Sequence, residues 1–169
     1  MLVRRERPDD HDAVDALQHA AFARADHEVP VEVGLLRSLR VGPWFLPAFS
    51  LVATTAEGEP IGHVIATRGR VGDHPALGVG PLGVSPARQR GGVGSALMHS
   101  LLGAAEATGE TVVALLGDPG YYRRFGFVPA AELGIAAPDP GWGGYFQARR
   151  LAGPPVTGPF RYATPFDEL

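Results

Sequence analysis

The chain contains no cysteine, which removes disulfides, thiolate metal sites and a cysteine nucleophile together. It has no apolar run of the ~18 residues a membrane span needs, and no charged-then-apolar leader. The cytoplasm is therefore the expected compartment, with no membrane partner. Surplus basic charge is missing too: 15 Lys and Arg against 18 Asp and Glu give a net charge of −3 and no footprint for nucleic acid. The six histidines show neither H-E-x-x-H nor any paired spacing for zinc, so no metal is expected. The phosphate-loop pattern G-x-x-x-x-G-K-[ST] is absent as well.

What is present suits one soluble α/β unit spanning residues 1–169, with 45% hydrophobic residues and a mean hydropathy of +0.02. Gly (23) and Pro (16) imply many tight turns, separated by apolar segments. Leu2–Glu6 reads as a first strand, and Asp9 and Asp10 as caps of a helix with Ala13, Val14, Leu17, Ala20 and Ala21 on one face. Residues 23–31 form a polar loop, and 31–39 a second helix stopped by Gly42 and Pro43. Phe49–Thr54 and Ile61–Thr67 read as an antiparallel hairpin turned by Glu57–Pro60, with Arg68–Pro75 a polar lead-in. In the proline-rich tail, Gly144–Leu151 is the best strand candidate.

The rest is organised around residues 77–107, LGVGPLGVSPARQRGGVGSALMHSLLGAAEA. An apolar strand interrupted by Gly78, Gly80, Pro81 and Gly83 leads through a polar turn into Gly91-Gly92-Val93-Gly94. Val93, Ala96, Leu97, Leu101, Ala104 and Ala105 then recur at helical spacing. The first turn of a helix has unpaired N–H groups and a partial positive charge. Glycines there let a phosphate reach the backbone without meeting a Cβ, so the corner reads as a diphosphate cradle. Thr111–Leu116 is a continuous apolar run, as in a strand buried on both faces and parallel to its predecessor through a right-handed crossover. Pro81 cannot donate to a ladder, which predicts a bulge or splayed edge there.

The corner, as Gln89, Gly92 and Gly94 in Q-x-x-G-x-G, resembles the acetyl-CoA signature of the GNAT superfamily of N-acetyltransferases. About 30 residues on, Gly117-Asp118-Pro119-Gly120-Tyr121-Tyr122-Arg123-Arg124-Phe125-Gly126-Phe127 resembles that family's Y-x-x-x-G-F segment, on a short helix begun by Asp118-Pro119 and ended by Gly126. The resemblance covers nearly the whole chain, thinning in residues 23–48 and 131–169. It implies an α/β (α+β mixed) fold of about six to seven strands and about four helices, splayed between the strands at 77–84 and 111–117. It also implies acetyl-CoA as co-substrate, with pantetheine pairing to strand backbone near Leu82 and Val84. The cofactor-binding set is then Leu82, Gly83, Val84, Gln89, Arg90, Gly91, Gly92, Val93, Gly94 and Ser95.

Tyr122, four residues before Gly126, is the catalytic candidate in preference to Tyr121. A thiol ionises near pH ~8.5 and a phenol near ~10, so a phenol can donate to a departing thiolate at a cost of about 2 kcal/mol for full transfer. An acceptor amine is protonated at pH 7 in all but about one molecule in 2,500, so a base is needed. Asp73, His74, Glu28, Glu32, His27, His63 and water remain open, with Asp73 and His74 favoured by analogy with the family. Asp26, Glu28 and Glu32 suit a cationic acceptor, either a small molecule or a peptide amine. The expectation is an N-acetyltransferase working by direct attack in a ternary complex. A non-catalytic acyl-CoA-binding module is the alternative, and a homodimer is left open.

Overall fold

The computed structural model describes residues 1–23 and 30–168. Among these, strands β1 (Leu2–Arg5), β2 (Ser50–Thr54), β3 (Pro60–Val71), β4 (His74–Val84), β5 (Val112–Leu116), β6 (Val128–Pro129), β7 (Ile135–Ala136), β8 (Phe146–Arg150) and β9 (Gly158–Arg161) share one nine-stranded sheet. Its main path runs β1-β2-β3-β4-β5-β8-β6, with β9 attached to the far end of β3 and β7 to β9. Every pairing on the main path is antiparallel except β4 with β5, the two strands joined through a helix. The mixed α/β class and the parallel crossover are as the apolar patterning predicts.

Four α-helices cover the sheet among the described residues: α1 (His11–Phe22), α2 (Val31–Val41), α3 (Val93–Ala107) and the short α4 (Pro119–Tyr122). Strand alternation decides which helix covers which face. Leu51, Ala53, Val64 and Ala66 point to the face where Val93, Leu97 and Leu101 of α3 pack. Their neighbours Val52 and Ile65 point the other way, into Val14 of α1 and Leu35, Leu36 and Leu39 of α2. Helix α3 is thus buried along its i, i+4 line, Val93-Leu97-Leu101-Ala105.

Three local expectations change. Arg68–Val71 is no polar lead-in but the continuation of β3, paired with β4 from Arg68↔Leu77 to Val71↔His74. The Arg68 guanidinium grips Glu110 through two bonds of 2.7 Å, and Gly72 turns the hairpin at φ +55°. Asp10 does not cap α1. Its carboxylate instead takes the Arg7 backbone N–H (2.7 Å) and a forked pair of Arg4 bonds (2.6 and 2.8 Å), closing the turn Pro8–Asp10. The tail adds β9, which has no alternation in the sequence to announce it.

The α1/α2 face also carries a buried polar chain. Gln18 Nε2 donates to His63 Nδ1 (3.0 Å), and His63 Nε2 lies 3.1 Å from Ser50 Oγ. Ser50 spends its one proton on Glu6 Oε2 (2.6 Å), so His63 must carry its proton on Nε2 and donate it to Ser50. Arg40 closes the chain, binding both Glu6 and Asp15. Burial alone would raise the Glu6 carboxyl, but the nearby His63 ring, 3.5 Å away, and bonds from Arg40 and Ser50 outweigh it and hold it at about 2. Burial pushes His63 below its ordinary value, against the pull of Glu6, so the ring is neutral at pH 7.

Both shifts act in the same direction. The unfolded state takes up a proton on histidine below pH ~6.5 and on glutamate below ~4.3, before the folded state does. Denaturant titrations should show stability flat from pH 8 to 7. It should fall below about pH 6.5 and lose roughly 3 kcal/mol more between about pH 5 and 2 as Glu6 protonates. In Glu6→Gln the lower stage should disappear; its persistence there would assign acid loss to other carboxylates.

Candidate active site

The site begins where β4 leaves β5. Their pairing runs only from Leu77↔Val113 to Val79↔Leu115, while β4 continues five residues further. Gly80, at φ +148°, adopts a backbone that side chains disfavour, and Pro81 follows with no N–H to offer β5. The β3 register slips opposite this point, between Val64 and Ala66. Past the slip, the Ser85 N–H bonds to Ile61 O of β3 (3.0 Å). Backbone groups alternate sides along a strand, so those of Leu82 and Val84 face away from β3, into the gap. The letters Gly78-x-Gly80-x-x-Gly83 do spell G-x-G-x-x-G, but they lie inside β4 and open no helix.

From Val84 the chain turns through Pro86–Arg88 into α3. The Gln89 side chain donates to Val84 O (3.2 Å), tying the loop to the strand end. Arg90 and Gly92 both sit in the left-handed region, at φ +61° and +85°. Gly92 is the N-cap of α3, and the helix's own ladder starts only at Ala96 N–H → Gly92 O (2.9 Å). The N–H groups of Val93, Gly94 and Ser95 therefore precede it, at the positive end of the helix dipole. Gly94 is bare for a second reason: a Cβ there would stand 2.6 Å from the Tyr121 hydroxyl.

These pieces line a cavity of about 570 Å³. It collects Leu82, Gly83, Val84, Gln89, Arg90, Gly92, Gly94 and Ser95 from the expected set. Gly91 and Val93 are not on its wall; the Val93 side chain goes into the core, leaving only its backbone at the helix entrance. Four further residues stand here: Ala21 and Phe22 at the end of α1, and two that spacing alone did not bring to the cradle, Tyr121 and Arg124. The Arg124 guanidinium lies 4.8 Å above the Tyr121 ring, and its Nε donates to Tyr121 O (2.9 Å). Their signal was the bare Gly94, which marks a close approach but not by what. Behind the wall, the Gln18 amide sits where a Gly83 Cβ would go, and its Oε1 is buried with no partner among the described residues.

Tyr122 belongs to an adjoining cavity of about 420 Å³, which shares Phe22 and Leu82 with the first. Asp118 caps α4 by accepting from Gly120 N–H (2.8 Å), and bare Gly117 leaves room for the Tyr122 ring. Tyr121 at 4.9 Å and Phe127 at 6.0 Å hold that ring edge-on. Burial, with Tyr121 adding to it, pushes the Tyr122 phenol above its ordinary value. Trp142, Tyr162 and Phe166, from the tail, and Glu32 and Leu35, from α2, complete the wall. The Tyr162 ring lies on β4 because Gly78 has no side chain: a Cβ there would stand 2.6 Å from it. Its phenol is also pushed up by burial, with Tyr122 contributing.

The favoured bases are displaced by this geometry. Asp73 and His74 sit at the β3–β4 turn, and His74 is seven residues up β4 from Pro81, about 23 Å along a strand. His63 is fully buried in its chain of polar partners. Asp26, His27 and Glu28 lie outside the described residues. Glu32 is the described candidate that shares a cavity with Tyr122. Among the described residues no three His, Asp or Glu side chains gather as a metal site would need, and no helix is long and apolar enough to cross a membrane.

The whole arrangement has counterparts. Residues 48–129 match the model of the acetyltransferase (GNAT) domain. The chain is 33% identical over 162 residues to the uncharacterised N-acetyltransferase YhbS of Escherichia coli K12, covering 94% of this chain and 92% of that one. The structure of the Escherichia coli YhbS protein in complex with CoA superposes with a TM-score of 0.89 at 33% identity, over 98% of this chain and 91% of that one. A GNAT acetyltransferase from Brucella melitensis in complex with acetyl-CoA gives 0.80 at 30% identity, over 98% and 97%. With a strand opened by Pro81, bare amides at the start of α3 and a tyrosine beside the gap, this chain belongs to the GNAT superfamily of N-acetyltransferases.

Proposed function

We propose that the protein transfers an acetyl group from acetyl-CoA to a primary amine by direct attack in a ternary complex. The observation that carries this reading is the meeting of the two cavities at Leu82 and Phe22, one floored by free helix amides and the other holding Tyr122. The residues present fit the coenzyme. The amides of Val93, Gly94 and Ser95, with Arg90 and Arg124, suit a diphosphate, and the edge at Leu82 and Val84, which β5 does not pair, suits the amides of a pantetheine arm. Two relatives of about one-third identity were solved with CoA or acetyl-CoA bound. The coenzyme supplies an activated acetyl thioester; the protein supplies position, polarisation and protons.

On that reading, the Leu82 edge orients the thioester and draws density from its carbonyl. Glu32 accepts the proton that the amine must lose, directly or through water. Tyr122 donates to the sulfur as the acyl–sulfur bond breaks. Its raised pKa keeps it protonated far beyond neutral pH, so the donor is always loaded. Burial raises a thiol as well as a phenol, since both ionise to anions, so the mismatch between them is not widened by burial alone.

Two expectations follow from these roles. CoA or acetyl-CoA at about 100 times Kd should raise Tm by roughly 5–10 °C. Gly92→Glu should abolish that shift, because Gly92 needs its positive φ and a carboxylate there would face phosphate. An unaltered shift in that variant would move the cradle elsewhere. Tyr122→Phe should lower kcat about 100-fold or more while leaving the CoA-induced shift intact; equal turnover would reduce Tyr122 to packing. Because the chain contains no lysine, thiol released without added amine does not come from acetylation of a lysine side chain.

A further inference from the structure

The two cavities differ in charge. Arg90 and Arg124 line the first, and no acid joins them among the described residues. In the second, Glu32 is the one charged residue on the described wall. The rest of that wall is apolar: five aromatic residues (Phe22, Tyr122, Trp142, Tyr162 and Phe166) with Leu35 and Leu116 among the others. The rings are held by one another and not by the ligand. Tyr162 lies 4.5 Å from Phe166 and 6.4 Å from Trp142, in a cluster that continues into the core through Phe146 and Phe160. Much of the aromatic wall is thus packed before anything binds, and the pocket's 420 Å³ is in the range of small-molecule sites, about 300–1,000 Å³.

An anionic group entering this pocket would find no cation among the described residues and would face Glu32. A polycation would find one carboxylate among the described residues and an aromatic wall for its remaining charges, at a steep desolvation cost. A single ammonium on an apolar body meets both features, with the carboxylate for its head and ring faces for its tail. A second mark points to a ligand here. The Tyr162 phenolic oxygen is fully buried, although the residue as a whole is partly exposed, and it has no partner among the described residues. A buried polar atom is seldom left unpaired, and a ligand N–H would satisfy it once a small turn of the phenol brings the oxygen to the pocket wall.

Resting on the acetyl-transfer reading, we propose that the acceptor is a small monocationic arylalkyl or alkyl amine without a carboxylate. Glu32 and the Tyr162 oxygen hold its head, and the cage of Phe22, Trp142 and Phe166 holds its body. The transfer forms the amide C–N bond and breaks the acyl C–S bond. The ammonium gives up one proton to Glu32 or water before attack; the second leaves nitrogen as the tetrahedral adduct collapses and replaces the proton that Tyr122 gives to the sulfur, which departs as thiol.

The test uses 2-phenylethylamine, L-phenylalanine, spermidine and a tetrapeptide beginning with phenylalanine. Binding is read first by quenching of Trp142 fluorescence, with Trp142→Phe separating that signal from Trp44. Thiol release with acetyl-CoA follows. The proposal expects 2-phenylethylamine to quench Trp142 and to exceed each of the others by at least roughly tenfold in kcat/KM. Glu32→Gln should raise its KM roughly tenfold, and Tyr162→Phe should raise it by a smaller factor, with the CoA-induced Tm shift unchanged in both. Preference for the amino acid, the polyamine or the peptide would overturn it, as would an unchanged KM in Glu32→Gln. Absence of quenching while CoA still raises Tm would overturn this inference alone. Quenching without any CoA effect would instead support the pocket and sink the coenzyme reading.

Discussion

The function of this fold depends on a failure of strand pairing. Two parallel strands that would otherwise seal the middle of the sheet stay bonded only as far as Val79 and Leu115. Beyond that point Gly80 and Pro81 turn β4 off the ladder, and its outer edge keeps hydrogen-bonding groups with no strand to use them. An edge strand exposed in this way is usually a hazard. Here it lies in the middle of a sheet, covered by helices on both faces, so only something thin and extended can reach it. The rest of the protein holds that gap open and furnishes its two ends.

What furnishes each end is chosen by charge. At the α3 end, oriented amides and arginines make a field that welcomes anions. At the tail end, the described residues offer aromatic rings and the Glu32 carboxylate. On the proposed reading, a molecule with a diphosphate at one end and an uncharged acyl group at the other lies along the gap with its diphosphate at α3. The buried chain from Gln18 through His63, Ser50 and Glu6 to Arg40 supports this from behind, because Gln18 packs directly against Gly83 of the cavity wall.

Much of this was legible in the sequence wherever one residue type has few physical uses. Pro81 inside an apolar strand could hardly mean anything but interrupted pairing, and the packed glycines before α3 could hardly mean anything but bare backbone at a helix start. Asp118-Pro119 and Gly126 bounded the tyrosine helix for the same reason. The misreadings fell where residue type is ambiguous. Arg68-Gly-Arg-Val reads as loop, yet it is strand because β4 and Glu110, 42 residues on, make it one. Asp73 and His74 resembled bases only while the length of β4 was undrawn. Trp142, Tyr162 and Phe166 come from a tail with no periodicity, and their convergence on Tyr122 depends on β9 joining β3, a contact that local pattern does not encode.

The central claim is that free amides at the start of α3 grip a diphosphate and so fix the register of everything laid along the gap. Calorimetric titration of the protein with CoA and, separately, with pantetheine, which has the same arm and thiol but no phosphate, tests it directly. The account predicts that CoA binds at least about 100-fold more tightly, a difference of about 2.8 kcal/mol. Equal affinity for the two would contradict it, because the arm alone would then carry the binding.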